Sequence, residues 1–206
     1  MKLYFVRHGE SAANTWRVIS NRESRFGLTE LGKRQANTLV EGLKDIPITA
    51  IFSSPVLRAR QTADILSHSF GQPYQVSEAL REYDCGILEE QSDEASWGLH
   101  REIYEDWTLH HNYQRKPNGG ECFLDIRNRF LPLIKSLADD DLHVNQHILL
   151  VGHGGIFQLM LPLVLTNIEE AFVRSHGINH IDCIIAEQQP AGLVCLQWGQ
   201  FKFDNI

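Results

Sequence analysis

Three short apolar runs constrain the fold of this chain more than any other feature: KLYFV at residues 2–6, ITAIFS at 48–53 and HILLVG at 147–152. The last has no polar side chain after His147, the pattern of a strand covered on both faces inside a parallel sheet. Between the runs the apolar spacing becomes helical. Residues 29–43 open on Thr29, a helix-capping residue type, and continue with Ala36, Leu39, Val40 and Leu43 on one face. Pro55 suits the first turn of a helix over 55–68. A short strand is expected near 74–78. Residues 121–138 are amphipathic through Phe123, Ile126, Phe130, Leu133, Ile134 and Leu137. Another helix is expected to open at Gly154-Gly155. The runs 181–187 and 193–198 read as a hairpin at the sheet edge.

Strands alternating with helices predict an α/β fold: a three-layer α/β/α sandwich with a mostly parallel central sheet and an antiparallel edge. At 206 residues the chain is long enough for one sizeable core, so a single domain over 1–206 is expected. Residues 84–120 break the alternation. They carry many charges, Trp97 and Trp107, a helix near 94–110 and no clear strand, and are read as an inserted lobe. The net charge of −7 makes the chain a poor general binder of nucleic acid, which needs a basic face. The apolar N-terminal stretch is too short for a signal-peptide core, and no run reaches membrane-spanning length. The four cysteines, Cys85, Cys122, Cys183 and Cys195, are widely spaced, without a C-x-x-C. They read as reduced thiols in a cytoplasmic protein, with one chance disulfide left open.

The polar residues that stop the runs are unusual. The first run ends in Arg7-His8-Gly9-Glu10, the second leads through Ser53-Ser54-Pro55 to Arg58, and the third ends in His153-Gly154-Gly155. In a parallel sheet these ends share one edge, where ligands of open α/β sheets bind. One His or Arg after a strand is usually a surface or capping residue. Cationic residue types at three corresponding ends are harder to dismiss. Two arginines and two histidines suit a phosphoryl group, because guanidinium forks pair with phosphate oxygens and a neutral imidazole attacks phosphorus. A helix opening at Gly154 would add its N-terminal N–H groups. Glu82 is the candidate for protonating the leaving oxygen and for activating water.

These residues resemble the histidine phosphatases, the superfamily that includes cofactor-dependent phosphoglycerate mutase. Arg7-His8-Gly9-Glu10-Ser11 with Asn14 is similar to its signature. Leu28 to Gly32 with Gln35-Ala36, Phe52 to Ala59 with Gln61-Thr62-Ala63, Leu80 and Glu82 with Gly86, Gly120-Glu121 with Arg129, and Val151 to Gly155 follow in family order. The resemblance implies a phosphoglycerate mutase-like fold and a phosphohistidine on His8. It implies that Arg7, Arg58 and His153 hold the phosphoryl group with Asn14 assisting, and that Glu82 moves the protons. With Gly154 these make the expected site. No metal and no cofactor are implied. The expected partner is a small-molecule phosphate ester, with neither nucleic acid nor membrane, and a homodimer is left open.

Departures from the family pattern fall at Ser20-Asn21, Leu88-Glu89-Glu90 and Gln158. Arg17, Arg22 and Arg25 either meet a second anionic group of the substrate or lie on a solvated loop. Glu121 either lines the pocket or caps its helix, the blander reading. His110-His111 and His176 with His180 lack acidic or thiol partners at ligand spacing, so surface or core roles are expected. Trp97 and Trp107 are expected to pack the lobe, with an aromatic lid as the alternative. The expected function is a phosphatase acting on a small phosphorylated metabolite. The alternative is a phosphoglycerate mutase, disfavoured by the acidic run at 89–94. A non-catalytic phospho-ligand-binding module is the third reading. The identity of the ester is not legible.

Overall fold

The computed structural model describes residues 1–22, 25–139 and 145–203. Its strands are β1 (Lys2–Arg7), β2 (Ala50–Ser53), β3 (Tyr74–Val76), β4 (His147–Gly152), β5 (Cys183–Gln189), β6 (Gly192–Trp198) and β7 (Phe201–Lys202). Its helices are α1 (Ala12–Thr15), α2 (Glu30–Leu43), α3 (Leu57–Phe70), α4 (Glu94–Thr108), α5 (Phe123–Asp139), α6 (Gly154–Met160) and α7 (Glu170–Ser175). The strands form one sheet in the order β3-β2-β4-β1-β5-β6-β7. Strands β3, β2, β4 and β1 pair in parallel, and β5 to β7 continue antiparallel.

Successive strand residues face opposite sides of a sheet. Leu3, Phe5, Ile148, Leu150 and Ile184 therefore enter one core with Ile126, Phe130 and Ile134 of α5 and Ile156 and Phe157 of α6. Tyr4, Val6, Leu149, Val151 and Ile51 enter the other with Leu39 and Leu43 of α2 and Ala59, Ala63 and Leu66 of α3. Helices thus cover both faces, which is why β1 is apolar from Leu3 to Val6 and β4 from Ile148 onward. Each large side chain buried this way contributes about 1.5–3 kcal/mol. Tyr83, Cys85, Leu88, Ile103 and Trp107 join the first core, so the 84–120 segment packs on the same apolar mass as the sheet.

The helix expected over 55–68 runs instead over Leu57–Phe70. Val56 is extended, and its N–H bonds the Ser54 hydroxyl at 3.3 Å, so Pro55 belongs to the turn that precedes the helix. The helix continues to Phe70 because Gly71, at φ +65°, supplies the left-handed cap. The hairpin is present as β5–β6, but it is not the sheet edge. The chain turns at Gly199, φ +55°, and adds the two-residue strand β7 to β6.

Strand register brings the polar ends together. Arg7 lies opposite Gly152, and Ser53 opposite Val151. The carboxyl ends of β1, β4 and β2 are level, so the residues just beyond them meet. No helix among the described residues is long and apolar enough to cross a membrane.

Candidate active site

The loop after β1 is pressed onto the first turn of α2. A methyl group at Gly9 would lie 2.5 Å from the Gly32 carbonyl oxygen, so only two glycines allow these backbones to touch. The Thr29 N–H donates to the Glu10 carbonyl at 3.0 Å, and the Thr29 hydroxyl donates to the Glu10 carboxylate at 2.7 Å. The His8 N–H bonds the Gly152 carbonyl at 3.0 Å, which fixes the end of β1 against the end of β4.

His8 is buried, with its Nδ1 2.7 Å from the Gly9 carbonyl. A carbonyl only accepts, so Nδ1 carries the proton and Nε2 keeps its lone pair. The Arg58 Nε–H donates to that lone pair at 2.9 Å. Arg58 also donates to the Ser20 carbonyl at 2.7 Å and to His153 Nδ1 at 3.2 Å. His153 must then carry its proton on Nε2, where it donates to the Ser54 hydroxyl at 2.7 Å. Both rings are held well below the ordinary imidazole range, first by burial and then by Arg58. Burial lowers Arg58 itself to about 10, against support from Glu82.

Arg7 donates to the Ile178 carbonyl at 2.6 Å and lies 3.1 Å from His180 Nε2. Its Nε is buried without a hydrogen-bond partner among the described residues. The same His180 Nε2 lies 3.1 Å from Asn14 Oδ1, which is an acceptor because Ser11 donates to it through both N–H and hydroxyl. One nitrogen cannot accept from Arg7 and donate to Asn14 at once. His180 is therefore a two-way contact between two cleft residues, and its ring centre is 5.9 Å from that of His8.

Glu82 is buried and accepts three backbone N–H bonds, from Gly155 at 2.9 Å, Ile156 at 2.7 Å and Tyr83 at 3.1 Å. Burial raises its pKa, while those N–H groups and Arg58 act against the rise. This corrects part of one expectation: at the start of α6 the Gly155 and Ile156 N–H groups hold the Glu82 carboxyl and not a phosphate, while Gly154 stays at the cleft.

Arg7, His8, Asn14, Arg58, Glu82 and Gly154 line one cleft of roughly 470 Å³. His153 does not line it. It stands one layer back, its ring centre 5.0 Å from that of His8, and reaches the cleft through Arg58. The opposite wall is α4, whose Trp97, His100, Arg101, Tyr104 and Glu105 lie along the cleft. Buried donors converging beside an imidazole lone pair, with a carboxyl nearby, can hold a tetrahedral oxyanion and move a proton.

Other expectations sort themselves. Arg22 pairs with Asp84 at 2.6 Å, and Arg25 pairs with Glu90 at 2.8 Å, outside the cleft. Residues 23 and 24 of that segment lie outside the described residues. Arg17 flanks an adjoining recess with Arg7, Asn14, Trp97 and His180. Glu121 neither lines the cleft nor caps its helix. It binds Arg129 at 2.8 Å and accepts the Asp84 N–H, while Asp125 takes the Cys122 N–H. Trp107 is core, and Trp97 is cleft wall. His176 stacks on Phe172, whereas His180 belongs to the site, a placement that sequence reasoning missed. Among the described residues no group of three or more His, Cys, Asp or Glu side chains is placed to hold a metal ion.

Comparison with known proteins gives a consistent result. A family model described as the histidine phosphatase superfamily, branch 1, matches residues 3–200. A relative from Proteus mirabilis named probable phosphoglycerate mutase GpmB is 32% identical over 165 residues, covering 80% of this chain and 75% of its own length. The solved structure of Bacillus stearothermophilus YhfR superposes with a TM-score of 0.80 at 26% identity, covering 94% of each chain. That of the alpha-ribazole phosphatase from Shigella flexneri gives 0.80 at 22% identity over 100% of each chain.

Proposed function

This chain belongs to the histidine phosphatase superfamily, and on that basis we propose that it hydrolyses a small phosphate monoester through a phosphohistidine on His8. The observation that carries the reading is the neutral His8 ring. Its Nδ1–H is tied to the Gly9 carbonyl at 2.7 Å, and its Nε2 lone pair lies 2.9 Å from the Arg58 guanidinium. An incoming phosphoryl group takes over that guanidinium, together with Arg7 Nε and the Asn14 amide. Nε2 then attacks phosphorus in line, and the P–O bond to the leaving alcohol breaks. The Gly9 carbonyl supports the positive charge that grows on the ring. Protonated Glu82 gives its proton to the leaving oxygen. As a carboxylate it then takes a proton from the water that attacks the phosphohistidine, so each turnover restores both groups. A burial-raised carboxyl that also has N–H donors for its charged form suits both steps. His153 acts by holding Arg58. The reduced, buried state of all four cysteines supports a cytoplasmic location.

A second reading, phosphoglycerate mutase, follows from the name of the Proteus mirabilis relative. It requires the phosphoryl group to return to substrate instead of passing to water. One assay separates the two: phosphate release from an ester panel with and without a bisphosphate cofactor. Release without bisphosphate supports the phosphatase; isomerisation that requires bisphosphate overturns it.

A further inference from the structure

We propose that the organic part of the substrate is an uncharged, hydroxyl-bearing ring, as in a sugar or nucleoside monophosphate, lying along the cleft face of α4. The inference rests on the phosphatase reading and concerns only what the ester carries beyond its phosphate. Positions 97, 100, 101, 104 and 105 are spaced i, i+3, i+4, i+7, i+8, so one helical stripe faces the cleft for two turns. The cleft, roughly 470 Å³, falls in the size range of sites that enclose a whole small molecule.

The chemistry of the stripe is specific. Trp97 offers a flat ring held in place, its Nε1–H donating to the Arg17 carbonyl at 2.7 Å and its ring meeting His100 edge-on at 5.2 Å. His100 is fixed by the Tyr83 hydroxyl at 2.9 Å, and burial lowers it to about 4, so it adds no cation. Beside these rings three groups make no hydrogen bond or ion pair among the described residues: the Tyr104 hydroxyl, the Gln158 amide and the Glu105 carboxylate. Together they can donate to and accept from neutral hydroxyls. They do not suit a second anion. Arg101, the α4 cation at the cleft, is bound to Glu94 at 2.6 Å, and Glu105 is negative. Arg17 opens onto the adjoining recess.

The test is a kcat/KM panel on the full chain. It uses glucose 6-phosphate, AMP, glycerol 3-phosphate, 3-phosphoglycerate and the matched pair fructose 6-phosphate and fructose 1,6-bisphosphate. p-Nitrophenyl phosphate serves as the general control. The better of the sugar and nucleoside esters should exceed 3-phosphoglycerate by at least tenfold, and fructose 6-phosphate should exceed its bisphosphate similarly. Whether glucose 6-phosphate or AMP leads decides between the two ring types. Glu105→Gln should narrow the ratio of fructose 6-phosphate to fructose 1,6-bisphosphate at least fivefold. Trp97→Ala should raise KM for the ring ester at least fivefold more than for glycerol 3-phosphate. Preference for 3-phosphoglycerate or the bisphosphate, or ratios unmoved by both folded variants, overturns the inference while leaving the phosphatase reading intact. Absence of turnover on every ester, the control included, overturns both.

Discussion

Arg58→Met separates what this arginine does for chemistry from what it does for stability. The guanidinium is buried and held at about 10, below its ordinary 12.5, because burial outweighs the support from Glu82. A depression of that size corresponds to about 3 kcal/mol against the charged form in the fold. Methionine fills similar volume without that cost. It also removes three charge-assisted donors, to His8 Nε2, the Ser20 carbonyl and His153 Nδ1, and leaves those buried acceptors unpaired, at about 1.5–3 kcal/mol each. The lost donors outweigh the relieved burial cost, so the variant should be destabilised by about 1.5–6 kcal/mol, or at least about 3 °C in Tm for a chain of this size. Activity should not be spared. Loss of a preorganised donor to a transferring phosphoryl group costs about 10²–10³ in rate. The assays are thermal melting and kcat/KM on p-nitrophenyl phosphate. A variant within tenfold of wild-type activity, or one that melts no lower than wild type, would overturn this division of roles.

Three further outcomes are expected. His180→Ala should lower kcat/KM about tenfold, mostly through KM, by freeing Arg7, and His180→Gln should restore part of it because an amide can still accept from the guanidinium; equal losses in both variants would rule out a hydrogen-bonding role. Gly155→Ala would put a methyl group 2.5 Å from Tyr83 Cε1 and 2.8 Å from Glu82 Oε2, so kcat should fall about a hundredfold through the displaced acid while inhibition by inorganic phosphate changes little. Stability should fall as pH drops from about 7 towards 4. His8, His100, His153 and His180 are all lowered in the fold, so the unfolded chain binds protons first, and each contributes a slope of up to about 1.4 kcal/mol per pH unit. The raised Glu82 runs the other way but is outnumbered. Urea midpoints that stay flat over that range would contradict this.

The parts of the site that lie at strand ends were legible in sequence, because a fully buried strand must be apolar and its end is marked by the first polar residues. Arg7, His8 and His153 were found in that way, and Thr29 marked the start of α2 by its capping chemistry. What escaped detection depends on tertiary approach. His180 reaches Arg7 across 173 residues because the Ile181 N–H bonds the Arg7 carbonyl at 3.0 Å and β5 runs back along β1. No local periodicity records that pairing. The cleft face of α4 mixes aromatic, charged and imidazole side chains, so the helix was foreseen but not which side faces the substrate. The start of α6 looks in sequence like a phosphate site, but its Gly155 and Ile156 N–H groups hold the chain's own Glu82 carboxyl.

A phosphohistidine on His8 can be trapped. The protein is mixed with a monoester labelled at phosphorus, quenched within milliseconds into alkaline detergent, where phosphohistidine survives, and mapped by peptide mass spectrometry. Label is expected on His8, formed and discharged at the rate of turnover, and none in His8→Ala. Turnover without a labelled His8, or label on another residue, would contradict the assignment of His8 as nucleophile.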